Sequence, residues 1–327
     1  MYRTKRILCL LVLVGLVALL AACGGGFGST VSEAKSLPVK AEAPDTAAED
    51  EMSLDEQLIE AVNAGGLTEV ERLLAEGANA DAVEGDDFFT NPILRSAVED
   101  GSVELTRALI ENGADVNARD SKGNSVLRYA VTEAHPEIVA ILLEAGADAS
   151  ALQADDEGLL PMAVATGDLE IVRMLLDAGV GVNDEAHFHP LGRLNISYTG
   201  PAINVAAAFG YNDIVQLLID HGADVNQPVE RPEVGHWQPI SYAAMANQVE
   251  TIDLLVANGA EIEGTTDAGN PLVIAATKGH PEATQKLIDL GADVNRRDEA
   301  GNVALRAARN SGNEDVVQTL LDAGAEE

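Results

Sequence analysis

The sequence Gly113-Ala114-Asp115-Val116-Asn117 recurs without change at residues 222–226 and 291–295. Successive copies, exact or approximate, are separated by 36, 33, 33, 43, 37, 32 and 33 residues. A period near 33 residues predicts an array of stacked repeats rather than one or two globular domains. The approximate copies begin at Gly77, Gly146, Gly179, Gly259 and Gly324.

Each repeat reads as two short helices followed by a loop. Ser53-Leu54-Asp55-Glu56 has the spacing of a capping box, which predicts that a first helix begins there and runs to about Asn63. Gly65-Gly66 breaks this helix, and residues 68–76 form the second one. Gly77 then ends the second helix, at a position where the left-handed backbone favours glycine.

The clearest copy runs from Asp120 to Asp148, with Pro136 at the start of its second helix, where proline is tolerated. This pattern resembles the ankyrin repeat. The resemblance implies an all-α solenoid of about eight helix–turn–helix repeats with projecting hairpin fingers. The family's Thr-Pro-Leu-His motif is intact nowhere, which puts local rigidity in doubt but not the fold. The expected units are 53–82, 83–118, 119–151, 152–184, 185–227, 228–264, 265–296 and 297–327.

The first 52 residues differ from the repeats. Residues 1–22 have a short basic start and an apolar run that predict a secretory signal. The run ends in Leu20-Ala21-Ala22-Cys23, which resembles the lipobox of bacterial lipoproteins. The resemblance implies that Cys23 is lipidated and becomes the first mature residue, with an ordinary signal peptide and a chance cysteine as the alternative. Residues 23–52 read as a flexible tether. In bacterial lipoproteins an aspartate after the lipidated cysteine favours retention at the inner membrane. Gly24 occupies that position here, so the resemblance favours a location at the outer membrane, facing the periplasm.

The chain is strongly acidic, with 54 Asp and Glu residues, 20 Lys and Arg residues and a formal charge of −34. This charge argues against nucleic acid and against anionic lipid headgroups as partners. It favours a basic protein partner, although solubility or a salty habitat would explain it equally well. The repeats contain no cysteine, so we expect no disulfide there.

Three fingers are longer than the others, and insertions of this kind often lie on the binding face. They span residues 83–91, 183–200 and 227–238, and they contain five of the nine aromatic residues from Ser53 onward. We expect exposed aromatic anchors there and in the groove, unless the fingers fold back and bury them. The predicted partner-binding residues are Phe88, Phe89, Phe188, Arg193, Tyr198, Phe209, Tyr211, Trp237 and Met245.

Other chemistry is weakly indicated. His187 and His189, beside acidic residues in the 183–200 finger, are candidate metal ligands, but a full four-ligand set is absent from the sequence. We therefore assign no metal and no cofactor. No nucleophile elbow, P-loop or dinucleotide motif occurs, so we do not expect an enzyme.

The sequence thus predicts a monomeric, lipid-anchored envelope protein that binds another protein. It leaves open a periplasmic scaffold or stabiliser, an immunity-type inhibitor of a toxin or effector, and a metal or small-ligand binder that uses the 183–200 finger.

Overall fold

A computed structural model describes residues 52–326 except 86–88, 154–156, 189–197, 232–234, 266–268 and 298–302. Its 16 helices form eight pairs, as the repeat pattern predicts. The first helices of the pairs are α1 (Leu54–Asn63), α3 (Ile93–Glu99), α5 (Val126–Thr132), α7 (Leu159–Thr166), α9 (Ala202–Phe209), α11 (Pro239–Met245), α13 (Pro271–Lys278) and α15 (Ala304–Ser311).

The second helices complete the pairs, and each packs against the first helix of its own repeat. No helix in the described part of the chain combines the length and the apolar character that crossing a membrane requires. The second helices are α2 (Leu67–Ala75), α4 (Val103–Glu111), α6 (Pro136–Glu144), α8 (Leu169–Asp177), α10 (Asn212–Asp220), α12 (Val249–Ala257), α14 (Pro281–Asp289) and α16 (Glu314–Asp322).

The predicted helix signals are present in the structure. The Ser53 hydroxyl accepts from the backbone N–H of Glu56, and the Glu56 carboxylate accepts from the backbone N–H of Ser53, so the capping box is complete. Pro136 and Pro281 begin α6 and α14. Gly77 has a φ of +99°, which side-chain-bearing residues rarely adopt, so this helix end requires glycine.

The three long fingers are the places where the described chain forms β-hairpins. Strand β1 (Val83–Gly85) pairs antiparallel with β2 (Thr90–Pro92) before α3. Strands β3 (Ala186–Phe188) and β4 (Tyr198–Gly200) precede α9, and β5 (Val229–Arg231) and β6 (Gly235–Trp237) precede α11. The extra residues thus lengthen the loop enough for a two-stranded ladder to form.

One apolar core runs through all eight repeats. Each first helix contributes its leucine or isoleucine, such as Leu94, Leu127 and Ile240, all of which are buried. A single repeat could not cover both of its apolar faces, so each repeat depends on its neighbours.

A polar ladder reinforces this stacking at the base of the fingers. The side chain of Asn117, at the end of one Gly-Ala-Asp-Val-Asn copy, accepts from the backbone N–H of Asp148 in the next repeat at 2.8 Å. Its amide nitrogen donates to the carbonyl oxygen of Gly146. In five other repeats the side chain at the same position also accepts from a backbone N–H of the following repeat. These residues are Asp81, Asn183, Asn226, Glu263 and Asn295.

The ladder is interrupted between the third and fourth repeats. The residue at the clamp position is Ser150, whose hydroxyl donates to Asp148 of its own repeat at 2.7 Å. Among the described residues, no side chain accepts from the backbone N–H of Gly181, the equivalent donor in the fourth repeat. The clamps therefore join repeats 1–3 and repeats 4–8 as two separate series.

The interruption generates a stability prediction. Ser150→Asn would supply a side chain that accepts from Gly181 and donates to the carbonyl oxygen of Gly179. Since a hydrogen bond contributes about 1 kcal/mol net, we expect the free energy of unfolding to rise by about 1–2 kcal/mol in urea melts followed by circular dichroism. The reverse change, Asn117→Ser, should lower it by a similar amount. If only Asn117→Ser has an effect, geometry at the third junction does not permit the clamp.

Candidate functional site

The first helices form one row, the inner row, and the second helices form another, the outer row. Neighbouring helices pack more closely in the inner row than in the outer row. Because the repeats are closer together on that side, the array curves toward the inner row. The inner row therefore lines the concave side of the repeats, and the ends of its helices lead into the fingers.

Charge is divided unevenly between the two rows. In repeats 2–8 the second helices contain 15 acidic residues, two in each helix from α4 to α14 and three in α16. These helices contain only three basic residues, Arg107, Arg173 and Lys286. The first helices of the same repeats contain a single acid, Glu99, and the five bases Arg95, Arg128, Lys278, Arg306 and Arg309.

This division refines the expectation of a basic partner. Net charge alone predicts a uniformly acidic surface, but in repeats 2–8 all acids of the helices except Glu99 lie on the outer row. A basic partner would be attracted there rather than to the inner row. The inner row has no charged residue in α7, α9 and α11, at its centre.

The basic residues near the start of the inner row are held by neighbouring side chains. The Arg95 guanidinium lies 4.3 Å from the centroid of the Tyr129 ring and pairs with Glu99 at 2.8 Å. Arg128 pairs with Glu157, a buried carboxylate, at 2.9 Å. These contacts fix both arginines, so this end of the row has little charge left for a partner.

Tyr129 packs against the apolar core and also belongs to a small polar network. Its hydroxyl donates to the carboxylate of Asp120, and both residues are largely shielded from water. Burial, together with this hydrogen bond, raises the pKa of Tyr129. Burial would also raise the pKa of Asp120, but hydrogen bonds from Tyr129, Asn124 and Lys122 outweigh it and hold that pKa below its usual range. Tyr242, at the same helix position, is only 1% exposed.

Three of the predicted residues lie at the ends of the central first helices or in the turn that follows. Phe209 ends α9 and stacks on Tyr211, with ring centroids 5.4 Å apart and an interplanar angle of 12°. Both rings are half-buried, as is Met245 at the end of α11. A hollow of about 400 Å³ borders Tyr211 and is lined by the turns of repeats 4 and 5. Its volume falls within the range of ligand pockets, and its walls include Gly167 and Gly210.

The structure describes some of the residues predicted in the fingers fully, some by their backbone alone, and some not at all. Phe188 and Tyr198 lie directly opposite each other in the β3–β4 ladder, and only their backbone is described. Phe89, at the tip of the first hairpin, is 64% exposed. Phe88 and Arg193 lie outside the described residues.

The structure corrects the prediction for Trp237. Its indole is only 7% exposed and meets the Tyr242 ring edge-on, with centroids 5.4 Å apart. Val229, its partner in the β5–β6 ladder, is buried as well. This finger folds back onto the core, so Trp237 is not an exposed anchor and the proposed aromatic surface has to exclude it.

The predicted residues also fall into two groups rather than one. Phe209 and Met245 lie at the C-terminal ends of their helices, whereas the hairpins precede the N-terminal ends. A helix of eight residues is about 12 Å long, which separates the groups by that distance.

The candidate metal ligands stay a hypothesis. His187 pairs with Thr199 in the β3–β4 ladder, and His189 lies outside the described residues. In the part of the chain that the structure describes, no group of three or more His, Cys, Asp or Glu side chains could hold a metal ion.

Burial of the indole has a testable consequence. Trp237→Ala should lower the free energy of unfolding by about 3 kcal/mol, because it leaves a cavity beside Tyr242. Phe89→Ala, at an exposed position, should cost less than about 1 kcal/mol. Since the chain has one tryptophan, its emission should be blue-shifted and poorly quenched by acrylamide. Red-shifted, readily quenched emission from the native protein would contradict the buried position.

Comparison with known proteins agrees with this geometry. A family model described as ankyrin repeats (3 copies) matches residues 58–153, 160–266 and 240–327. The crystal structure of the human ASB11 ankyrin repeat domain superposes with a TM-score of 0.59 at 24% identity, covering 72% of this chain and 98% of that chain. At this identity the likeness concerns the fold alone.

Curated relatives match over shorter stretches. Ankyrin repeat and SOCS box protein 6 of Pongo abelii is 34% identical over 131 residues, which are 37% of this chain and 30% of the relative. The transient receptor potential cation channel subfamily A member 1 homolog of Caenorhabditis elegans is 31% identical over 121 residues, 37% of this chain and 10% of the relative. The match thus spans less than a third of either relative. Since the family model covers nearly all of the helical array, the chain belongs to the ankyrin repeat family.

Proposed function

We propose that this protein is held at a bacterial membrane by a lipid on Cys23 and binds another protein through its inner row. The observation that carries the proposal is the contrast between the two rows of helices. The outer row is acidic and polar, whereas the centre of the inner row, from α7 to α11, contains no charged residue. Ankyrin repeats are non-catalytic interaction modules, and a concave, uncharged centre is suited to burial against a partner.

The stacked pair of Phe209 and Tyr211 is the best anchor in the described residues. Aromatic side chains bury a large area at a small cost in conformational entropy, and they dominate many interfaces. Both rings are half-buried, so they are held in place before a partner arrives, which reduces the entropy lost on binding. Met245 lies one repeat further along the same row and would extend the contact.

The proposed location is the outer membrane, facing the periplasm. The lipobox-like Leu20-Ala21-Ala22-Cys23 and the following Gly24 support it. More than one acyl chain on Cys23 would give stable anchoring, whereas a single chain would bind reversibly. The residues between Cys23 and Ser53 would then separate the repeats from the membrane. In this arrangement the protein would act as a periplasmic scaffold or stabiliser of its partner.

The anchor is tested by fractionation of cells that produce the Cys23→Ala variant. We expect the wild-type protein in the membrane fraction and the variant almost entirely outside it, because the variant cannot be acylated. As a control, a labelled fatty acid should be incorporated into the wild-type protein but not into the Cys23→Ala variant. Retention of Cys23→Ala in the membrane fraction would show that something other than the lipid holds the protein there.

The binding surface is tested by crosslinking in intact envelopes and recovery of the crosslinked partner. We expect Phe209→Ala combined with Met245→Ala to reduce recovery at least about tenfold, because both residues lie in the proposed interface. Leu321→Ala, which truncates an exposed leucine in α16 of the outer row, is the matched control. Thermal melts confirm that each variant is folded.

The outcome of the capture separates the possible roles. One tight partner encoded beside this protein would favour an immunity-type inhibitor, whereas several weaker partners would favour a scaffold. Equal recovery with the inner-row and outer-row variants would exclude the inner row as the interface. Failure to recover any specific partner from the wild-type protein would contradict the proposed function itself.

A further inference from the structure

Two backbone groups at the junction between repeats 3 and 4 lack the contacts that their equivalents make elsewhere. Ser150 donates to Asp148 of its own repeat and does not cross to the next one. In the part of the chain that the structure describes, no group accepts from the N–H of Gly181 and none donates to the carbonyl oxygen of Gly179. We call these two groups, which lie just after α8, the open pair.

The other junctions show which chemical group this arrangement of backbone atoms binds. At four of them an asparagine oxygen accepts from the N–H equivalent to that of Gly181, at 2.7–2.8 Å. The amide nitrogen of the same side chain donates to the carbonyl oxygen equivalent to that of Gly179, at 2.9–3.3 Å. The same backbone pair thus binds a carboxamide four times. The asparagines are Asn117, Asn183, Asn226 and Asn295.

A small hollow adjoins the open pair. Ser150 and Gly181 both line it, and its volume is about 40 Å³. A water molecule takes up about 30 Å³ in the liquid, so the hollow accepts one small group rather than a whole ligand. Leu152, also in its wall, is 52% exposed. The other apolar residues of the wall are Ala149, Leu159, Leu160, Pro161, Val180 and Ala202.

The charges at the hollow favour a neutral group. Asp184 and Glu185 line it, and both are exposed. The Asp184 carboxylate lies over Gly181, where any side chain on residue 181 would clash with it. A carboxylate ligand would be repelled there, and an ammonium or guanidinium group could not accept from the N–H of Gly181. A carboxamide is neutral, accepts through its oxygen and donates through its nitrogen, so it matches the open pair.

The hollow borders the surface already proposed for binding. Its wall includes Leu159 and Ala202, which are the first residues of α7 and α9. These two helices belong to the uncharged centre of the inner row. A partner that covers this centre would therefore lie beside the open pair.

We propose that the open pair binds the side-chain amide of an asparagine or glutamine of the protein partner, a proposal that rests on the function proposed above. The partner would supply the clamp that Ser150 does not form, and binding would join repeats 3 and 4. An asparagine at residue 150 would close the site. Serine keeps it open at the expense of one junction, as binding sites often do.

The chemistry of the site is tested by nuclear magnetic resonance on the full chain, labelled with ¹⁵N and purified in a non-ionic detergent. The probes are acetamide, which carries the carboxamide alone, and acetate, which has a similar shape and a negative charge. We expect the Gly181 N–H resonance to shift progressively with acetamide and at least about fivefold less with acetate at the same concentration.

Two variants locate the response. Ser150→Asn places an amide of the chain itself on the open pair, so it should shift the Gly181 resonance without any probe and abolish the response to acetamide. Asn117→Ser is the matched control, because it exposes the equivalent groups at the second junction. In that variant the N–H of Asp148 should begin to respond to acetamide. Circular dichroism confirms that both variants retain the fold.

The role in partner binding is tested by crosslinking in intact envelopes. Ser150→Asn should reduce recovery of the partner about tenfold, because the amide of the partner loses its hydrogen bonds, although the same change stabilises the fold. Ser150→Ala leaves the site open and should change recovery by less than about twofold. Opposite effects on stability and on binding would not arise if the open pair were only a structural defect.

Several results would overturn the proposal. It fails if acetamide leaves the Gly181 resonance unchanged, or if Ser150→Asn neither shifts that resonance nor stabilises the fold, since an amide then does not fit. It also fails if Ser150→Asn and wild type recover the partner equally, and in that case the partner-binding function stands. Failure of the wild type to recover any partner contradicts that function itself, whereas the acetamide titration still reports on the site.

Discussion

One buried alanine in each first helix determines how closely the repeats can stack. Ala97, Ala130, Ala163, Ala206, Ala243, Ala275 and Ala308 occupy the same helix position in repeats 2–8, and each is 0% exposed. A methyl group is the largest side chain that lets neighbouring first helices approach this closely, because protein interiors have no spare volume at such contacts. The outer row has larger residues at its contacts and wider spacing. The difference in spacing between the rows curves the array.

The distribution of charge follows from the same difference. A charged side chain between closely packed first helices would have to be buried, which is costly unless it is paired, as Glu157 and Arg128 are. The second helices have more room and expose a long polar side to water, so they can carry 15 acids at little cost to the core. The net charge of −34 is therefore a property of the outer row and of the loops more than of the concave side. Average charge is a poor guide to the partner of a protein built from two unlike rows.

Much of the fold could be predicted because the repeat determines it. The glycines, the capping box at Ser53 and the prolines at the helix starts act within a few residues, so their effects can be recognised in the sequence. The unequal intervals between glycines correctly located the long fingers that form hairpins. The burial of Trp237 could not be predicted, because it depends on the register of β5 with β6 and on the position of Tyr242. Charge segregation could have been recognised, since the acids recur near both ends of each second helix.

The aromatic and methionine anchors proposed for binding lie on one side of the interruption in the polar ladder. Phe209 and Met245 belong to repeats 5 and 6, where side-chain clamps join each repeat to its neighbours. Each clamp restricts movement between neighbours, so a partner that spans these repeats would find the surface already arranged and would lose less entropy on binding. The unclamped junction at Ser150 lies between this block and repeats 1–3. A solenoid transmits order only between neighbours, so a missing clamp weakens one junction without loosening the next. The clamped junctions therefore support the surface that we propose for recognition.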